Sequence, residues 1–204
     1  MWKRRDALSA LSFFLLLALF GILAGFELLL AAVLAASFHE IGHLGVLRLF
    51  SAEEGRLLFH PSGLEWRREE KRLLSYPQEI LSLLAGPAMN FLWAAVLGRF
   101  AVEEHWETGF VLSGAQLMLG LFNLLPVLPL DGGKALELLL SWLIEPFFAY
   151  RVLRALSLAV GGALLLFSLA LFFVSGRVFL LFTASMLFFL VLRELGLVKE
   201  CRSG

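Results

Sequence analysis

His39, Glu40 and His43 stand together in the stretch SFHEIGHL, residues 37–44. On a helix, residues four apart share a face, so two imidazoles so spaced can both reach one Zn2+ at about 2.0–2.1 Å. A carboxylate beside them, not needed as a ligand, is free to take a proton from water, and the chemistry on offer is metal-assisted hydrolysis. The five-residue pattern also arises by chance, and its setting is more telling than its letters. It lies inside an apolar run, where a charged carboxylate costs at least ~2.5 kcal/mol at mid-bilayer and has to find a partner. The bland alternative satisfies the same three side chains on neighbouring helices.

Two histidines leave a catalytic zinc short, because such sites commonly use three protein ligands and keep one position open. Cys201 is the sole cysteine, which excludes a cysteine cluster and an intrachain disulfide. His60 and His105 fall in surface loops, and the topology derived below puts His105 on the opposite side of the membrane. Asp131 is the strongest candidate for the third ligand.

The elements that must carry these residues are membrane helices. Of 204 residues 60% are hydrophobic, 20 are Phe and only 17% are charged, which excludes an ordinary soluble domain. Runs long enough to cross a ~30 Å hydrocarbon layer fall at 7–25, 27–49, 78–98, 109–130, 150–174 and 178–197. The fold expected is an all-α polytopic membrane protein of about six transmembrane helices. The first run is too long for a signal-peptide core and reads as half of a retained helical hairpin turning near Gly25 and Glu27.

Counting Lys and Arg with the N-terminus inside gives 15 on the cytoplasmic side against Arg99 and Arg177 outside, so both termini are expected to be cytoplasmic. His39, His43 and Asp131 then all arrive in the cytoplasmic half. With 17 basic and 17 acidic residues, the basic loops are topology signals and no nucleic-acid partner is implied.

Within residues 51–76, RLLFH-PSG-LEWR reads as a small cytoplasmic β-hairpin. Pro126, Pro129, Gly132 and Gly133 in LLPVLPLDGG break the helix, and such backbone survives at membrane depth only when buried in protein or facing a watery cavity. Lys134, Glu137, Ser141 and Glu145 then recur at helical spacing, which predicts a short interfacial helix. Only seven residues follow residue 197, so residues 1–204 are read as a single membrane-embedded domain with no separate soluble domain.

HEIGH, then GPAMN at 86–90, then NLLPVLPLDGG at 123–133 together resemble the site-2 protease family of intramembrane zinc metalloproteases. That family carries H-E-x-x-H, G-P-x-x-N and N-x-x-P with a downstream D-G on successive core helices. The resemblance covers roughly residues 27–150 and is nearest to the stage IV sporulation FB branch. A C-terminal CBS domain frequent in that branch is not found here, so nucleotide-dependent regulation is not carried over. The resemblance implies one Zn2+ per chain held by His39, His43 and Asp131, with Glu40 as catalytic base. Asn123 would position or polarise the reacting carbonyl, Pro126 would break the helix near the site, and Asn90 would belong to a packing motif. Gly86, Gly161 and Gly162 read as close-packing points, and Trp93 and Trp142 as packing or interfacial residues.

By the same resemblance the substrate is a membrane-tethered protein cut in or near its transmembrane segment, a sporulation sigma-factor precursor among the candidates. The remaining partners are the lipid bilayer and membrane regulatory proteins, and the location is a bacterial cytoplasmic membrane. Two rival functions fit these residues less well. A metal-ion transporter would continue polar residues across the bilayer, whereas the outer halves of these spans are nearly unbroken Leu, Phe and Ala. A catalytically inactive scaffold would be expected to lose Glu40 or a ligand, and every one is present.

Overall fold

The structure is a computed structural model and describes residues 25–50, 55–60, 63–68, 74–175 and 178–196. Its elements in chain order are helix α1 (Phe26–Leu49), strands β1 (Gly55–His60) and β2 (Gly63–Arg68), then helices α2 (Tyr76–Glu103), α3 (Glu107–Asn123), α4 (Asp131–Leu143), α5 (Pro146–Ser175) and α6 (Val178–Glu194). They group into two compact units, one formed by residues up to 78 together with 85–120, the other by 79–84 and 121 onward.

In the first unit, α1 buries Ala31, Ala35, His39 and Gly42, spaced four, four and three apart. That spacing is one face of a helix, and it carries a histidine among small residues. Small residues let the neighbouring helix come close: a Cβ at Gly42 would strike the Ala85 carbonyl oxygen and stand 2.9 Å from Met89 Cβ. Phe38 and Trp93 stack at 4.3 Å between ring centroids, which gives Trp93 the packing role expected of it. Helix α2 starts with Pro77 in its first turn and with the Ser75 backbone N–H donating to Gln78 Oε1 at 3.0 Å. Pro87 interrupts its hydrogen-bond ladder midway. Ser113 Oγ of α3 donates to the Ala94 carbonyl of α2 at 2.8 Å. His105 takes a left-handed φ of 51° in the exposed turn between them.

β1 and β2 pair antiparallel, Gly55 with Arg68 through to His60 with Gly63.

The second unit is built around Val127, Leu128, Leu153, Val191 and Leu195, all buried, with Leu136, Leu140 and Leu156 packed against them. Here the expected span 109–130 divides. Helix α3 stops at Asn123, and residues 124–130 follow in short turns, with backbone N–H groups of Leu125, Val127 and Leu130 donating to the carbonyls of Phe122, Leu125 and Val127. The Leu128–Pro129 peptide is cis. Leu128 N–H, left without a helical partner, donates to the buried Ser157 Oγ of α5 at 2.9 Å. Irregular backbone in an apolar setting is thus satisfied by protein. The expected short helix is present as α4, but EPFF does not belong to it: the chain breaks at Ile144 and Pro146 opens α5, a position where a missing N–H costs nothing. Gly161 faces Phe188 of α6, whose ring a Cβ would meet at 3.3 Å, while the space beside Gly162 is nearly open.

Three helices are long and apolar enough to cross a membrane among the described residues, at Phe26–Leu49, Tyr76–Glu103 and Pro146–Val174. Helices α3 and α6 have 17 residues each. The expected first span, 7–25, lies outside the described residues save Gly25.

Candidate metal centre

Helix α1 places His39 and His43 on consecutive turns, as their spacing requires. Their rings meet edge to face with centroids 4.7 Å apart, and the two Nε2 atoms lie 3.1 Å from each other. Two nitrogens bound at 2.0–2.1 Å to one tetrahedral zinc stand roughly 3.3 Å apart, so the pair converges on one point as a shared cation demands.

The backbone of α2 makes room for the rings. A Cβ on Gly86 would collide with His43 Nε2 and lie 2.8 Å from His39 Cε1. Gly86 was expected only as a packing point, and packing is its role here, with the two imidazoles as what it packs against.

Behind His39 stands a residue that the sequence placed merely in a packing motif. Asn90 is completely buried; its Oδ1 lies 2.6 Å from His39 Nδ1, and its Nδ2 donates to the Ala35 carbonyl at 3.0 Å and to Gln116 Oε1 at 2.5 Å. A ligating histidine almost always donates its other ring N–H to an oxygen in this way, which fixes the ring's orientation. Gln116, buried on α3, was not singled out from sequence at all. The signal was there: an amide alone in the apolar run GAQLMLGLF is costly to bury and needs a hydrogen-bond partner.

Asp131 is the first residue of α4, at the positive end of the helix dipole. Glu40 is half-buried on α1, and Asn123 is the last residue of α3. A two-nitrogen, one-oxygen donor set with an oriented imidazole suits zinc. His105 stands in the exposed turn before α3; the side chain of His60 lies outside the described residues.

A converging imidazole pair, held from behind by a buried amide on the next apolar helix, defines a metal centre built into membrane-type helices. Comparison with known proteins finds similar proteins of one kind. Residues 99–169 match the model of peptidase family M50. Over 133 residues the chain is 32% identical to stage IV sporulation protein FB of Bacillus subtilis, covering 63% of this chain and 46% of that one. It is 30% identical over 110 residues to a zinc metalloprotease of Methanocaldococcus jannaschii, covering 50% of this chain and 31% of that one. The chain thus spans less than half the length of these curated relatives. Its fold is similar to that of the solved site-2 protease from M. jannaschii, with a TM-score of 0.64 and 22% identity over 97% of this chain and 92% of that one. Over part of its length the chain is thus similar in sequence to M50 peptidases, and in fold to a site-2 protease.

Proposed function

We propose that this chain is an intramembrane zinc metalloendopeptidase of the site-2 type, hydrolysing a peptide bond in or beside the transmembrane segment of a membrane-tethered protein. The observation that carries the reading is the pair of Nε2 atoms 3.1 Å apart, one of them oriented by a buried amide. The match of residues 99–169 to the M50 peptidase model and the similarity to a zinc metalloprotease support it.

His39, His43 and Asp131 are the proposed ligands of one zinc ion. Bound there, zinc supplies Lewis acidity, polarising a peptide carbonyl and making water nucleophilic near neutral pH. Glu40, one residue along the helix from His39, accepts the proton that the attacking water loses and passes it to the departing amine, so the same carboxylate serves as base and then as acid. Asn123, next to the helix break, donates an amide N–H to the carbonyl oxygen as charge develops on it. The substrate must present its scissile bond extended, because a helix ties up its own carbonyls. Strands β1 and β2 offer an edge to which such a segment could add by backbone pairing.

A sporulation sigma-factor precursor is the first substrate to try, a choice motivated by the 32% identity to a sporulation protein. The enzyme is placed in a bacterial cytoplasmic membrane with both termini and the active site toward the cytoplasm, a reading supported by the Lys and Arg distribution. The test is co-expression with membrane-tethered precursors, followed by cleavage in purified form. The Glu40→Gln protein is expected to cut at least about 100-fold more slowly than wild type while keeping its zinc. Undiminished turnover in that variant removes Glu40 from the mechanism.

A further inference from the structure

Metal binding through His39 Nε2 requires that nitrogen to carry a lone pair rather than a proton, and an unconstrained neutral imidazole favours the opposite form, with the proton on Nε2. Something must enforce the less favoured tautomer. The Ala35 carbonyl, one turn before His39, is only an acceptor, and it lies 3.0 Å from Asn90 Nδ2. The nitrogen end of the Asn90 amide must therefore face it, since the reversed amide would set oxygen against oxygen. The second hydrogen on Nδ2 goes to Gln116 Oε1. Both donors of Asn90 being committed, its Oδ1 is left facing His39 Nδ1 at 2.6 Å, and that oxygen can only accept. The proton between them has to belong to Nδ1. Exposure is 0% for Asn90, 1% for Gln116 and 6% for His39, so bulk water does not compete for these bonds.

We infer that Gln116, acting through Asn90, is a positioning residue that fixes His39 as the Nδ1-protonated tautomer and so presents its Nε2 lone pair to a metal. The inference rests on the proposed role of His39 as a ligand. Gln116 is needed because Ala35 alone holds only one of the two Asn90 hydrogens. Without an acceptor for the other, a buried donor is stranded, and the amide loses one of the two anchors that hold its oxygen on His39. A loosened Oδ1 holds the Nδ1 proton less firmly, and the ring relaxes toward its intrinsically favoured form, with the proton on Nε2, where a metal should bind.

The test uses the full chain, metal-free, with its histidines labelled with 15N. Ring nitrogen shifts distinguish the tautomers, and His39→Ala identifies the signal. Wild type should show an Nδ1–H ring. Gln116→Met, close in volume but a poor acceptor, should shift His39 toward the Nε2–H form and weaken zinc binding about tenfold in competition with a chelator. Gln116→Leu, a second shape, should do the same. Gln116→Glu, which restores an oxygen acceptor, should recover the tautomer. A folded Gln116→Met or Gln116→Leu protein with an Nδ1–H ring and wild-type zinc affinity overturns the inference while leaving the proposed function standing. A wild type that binds no zinc overturns the proposed function, and the tautomer of the metal-free protein then decides the inference by itself.

Discussion

At the scale of single residues, the centre depends on what is small as much as on what is polar. Gly86 leaves room that any Cβ would take from both imidazoles. Gly86→Ala should therefore displace the His43 ring and lower zinc affinity at least about tenfold, as loss of ligand orientation generally does; equilibrium dialysis against a zinc buffer measures it, and unchanged affinity would mean that the rings can move aside without cost. The ligand candidates were legible in the sequence because the helical period alone puts residues 39 and 43 on one face. Asn90 and Gln116 were not legible as their support. The Asn90 side chain reaches His39 across 51 positions and Gln116 across 26, and no local periodicity encodes which long-range partner an isolated amide will find.

Among the elements, the segment between α3 and α4 governs where Asp131 stands. Pro126 and Pro129 announced a break, but an apolar run does not say where its helix stops, so 109–130 read as one span although the helix ends at Asn123. The irregular stretch is pinned by the bond from Leu128 N–H to Ser157 Oγ. Ser157→Ala strands that buried donor and should cost about 1–3 kcal/mol, measured by thermal unfolding in detergent; a smaller loss would show that the segment finds another acceptor. On α4, burial and then the neighbouring Glu194 raise the Glu137 carboxyl above its usual range, with Lys134 partly opposing them. A raised acid binds its proton more tightly when folded. Its contribution to stability is therefore present at low pH and lost as the pH climbs from the ordinary carboxylate value through the raised one. Glu137→Gln should flatten that slope and raise the melting temperature at pH 7 relative to wild type, with the difference vanishing near pH 4. A variant less stable than wild type at pH 7 would place Glu137 in an ion pair that outweighs its burial.

For the whole molecule, sidedness decides where product goes. The basic loops predict a cytoplasmic face for residues 56–70 and an outer face for residues 102–108. In a Cys201→Ser background, single cysteines at those places should react with an impermeant reagent from opposite sides, and the reverse pattern would invert the topology. A cytoplasmic site implies a scissile bond in the cytoplasmic half of the substrate's membrane segment or just beyond it, near a helix-weakening residue. Mass spectrometry of both fragments from a purified reaction locates the cut, and cleavage reproducibly in the outer leaflet would contradict that depth.

The most direct measurement for a zinc centre made of His39, His43 and Asp131 is the metal content of the purified chain. Wild type should carry about one zinc per chain, as expected for three protein ligands and one open position, and His39→Ala, His43→Ala and Asp131→Asn should each lose most of it while remaining folded. Zinc retained at wild-type level in Asp131→Asn, or absent from wild type under conditions in which it cleaves, would contradict the assignment.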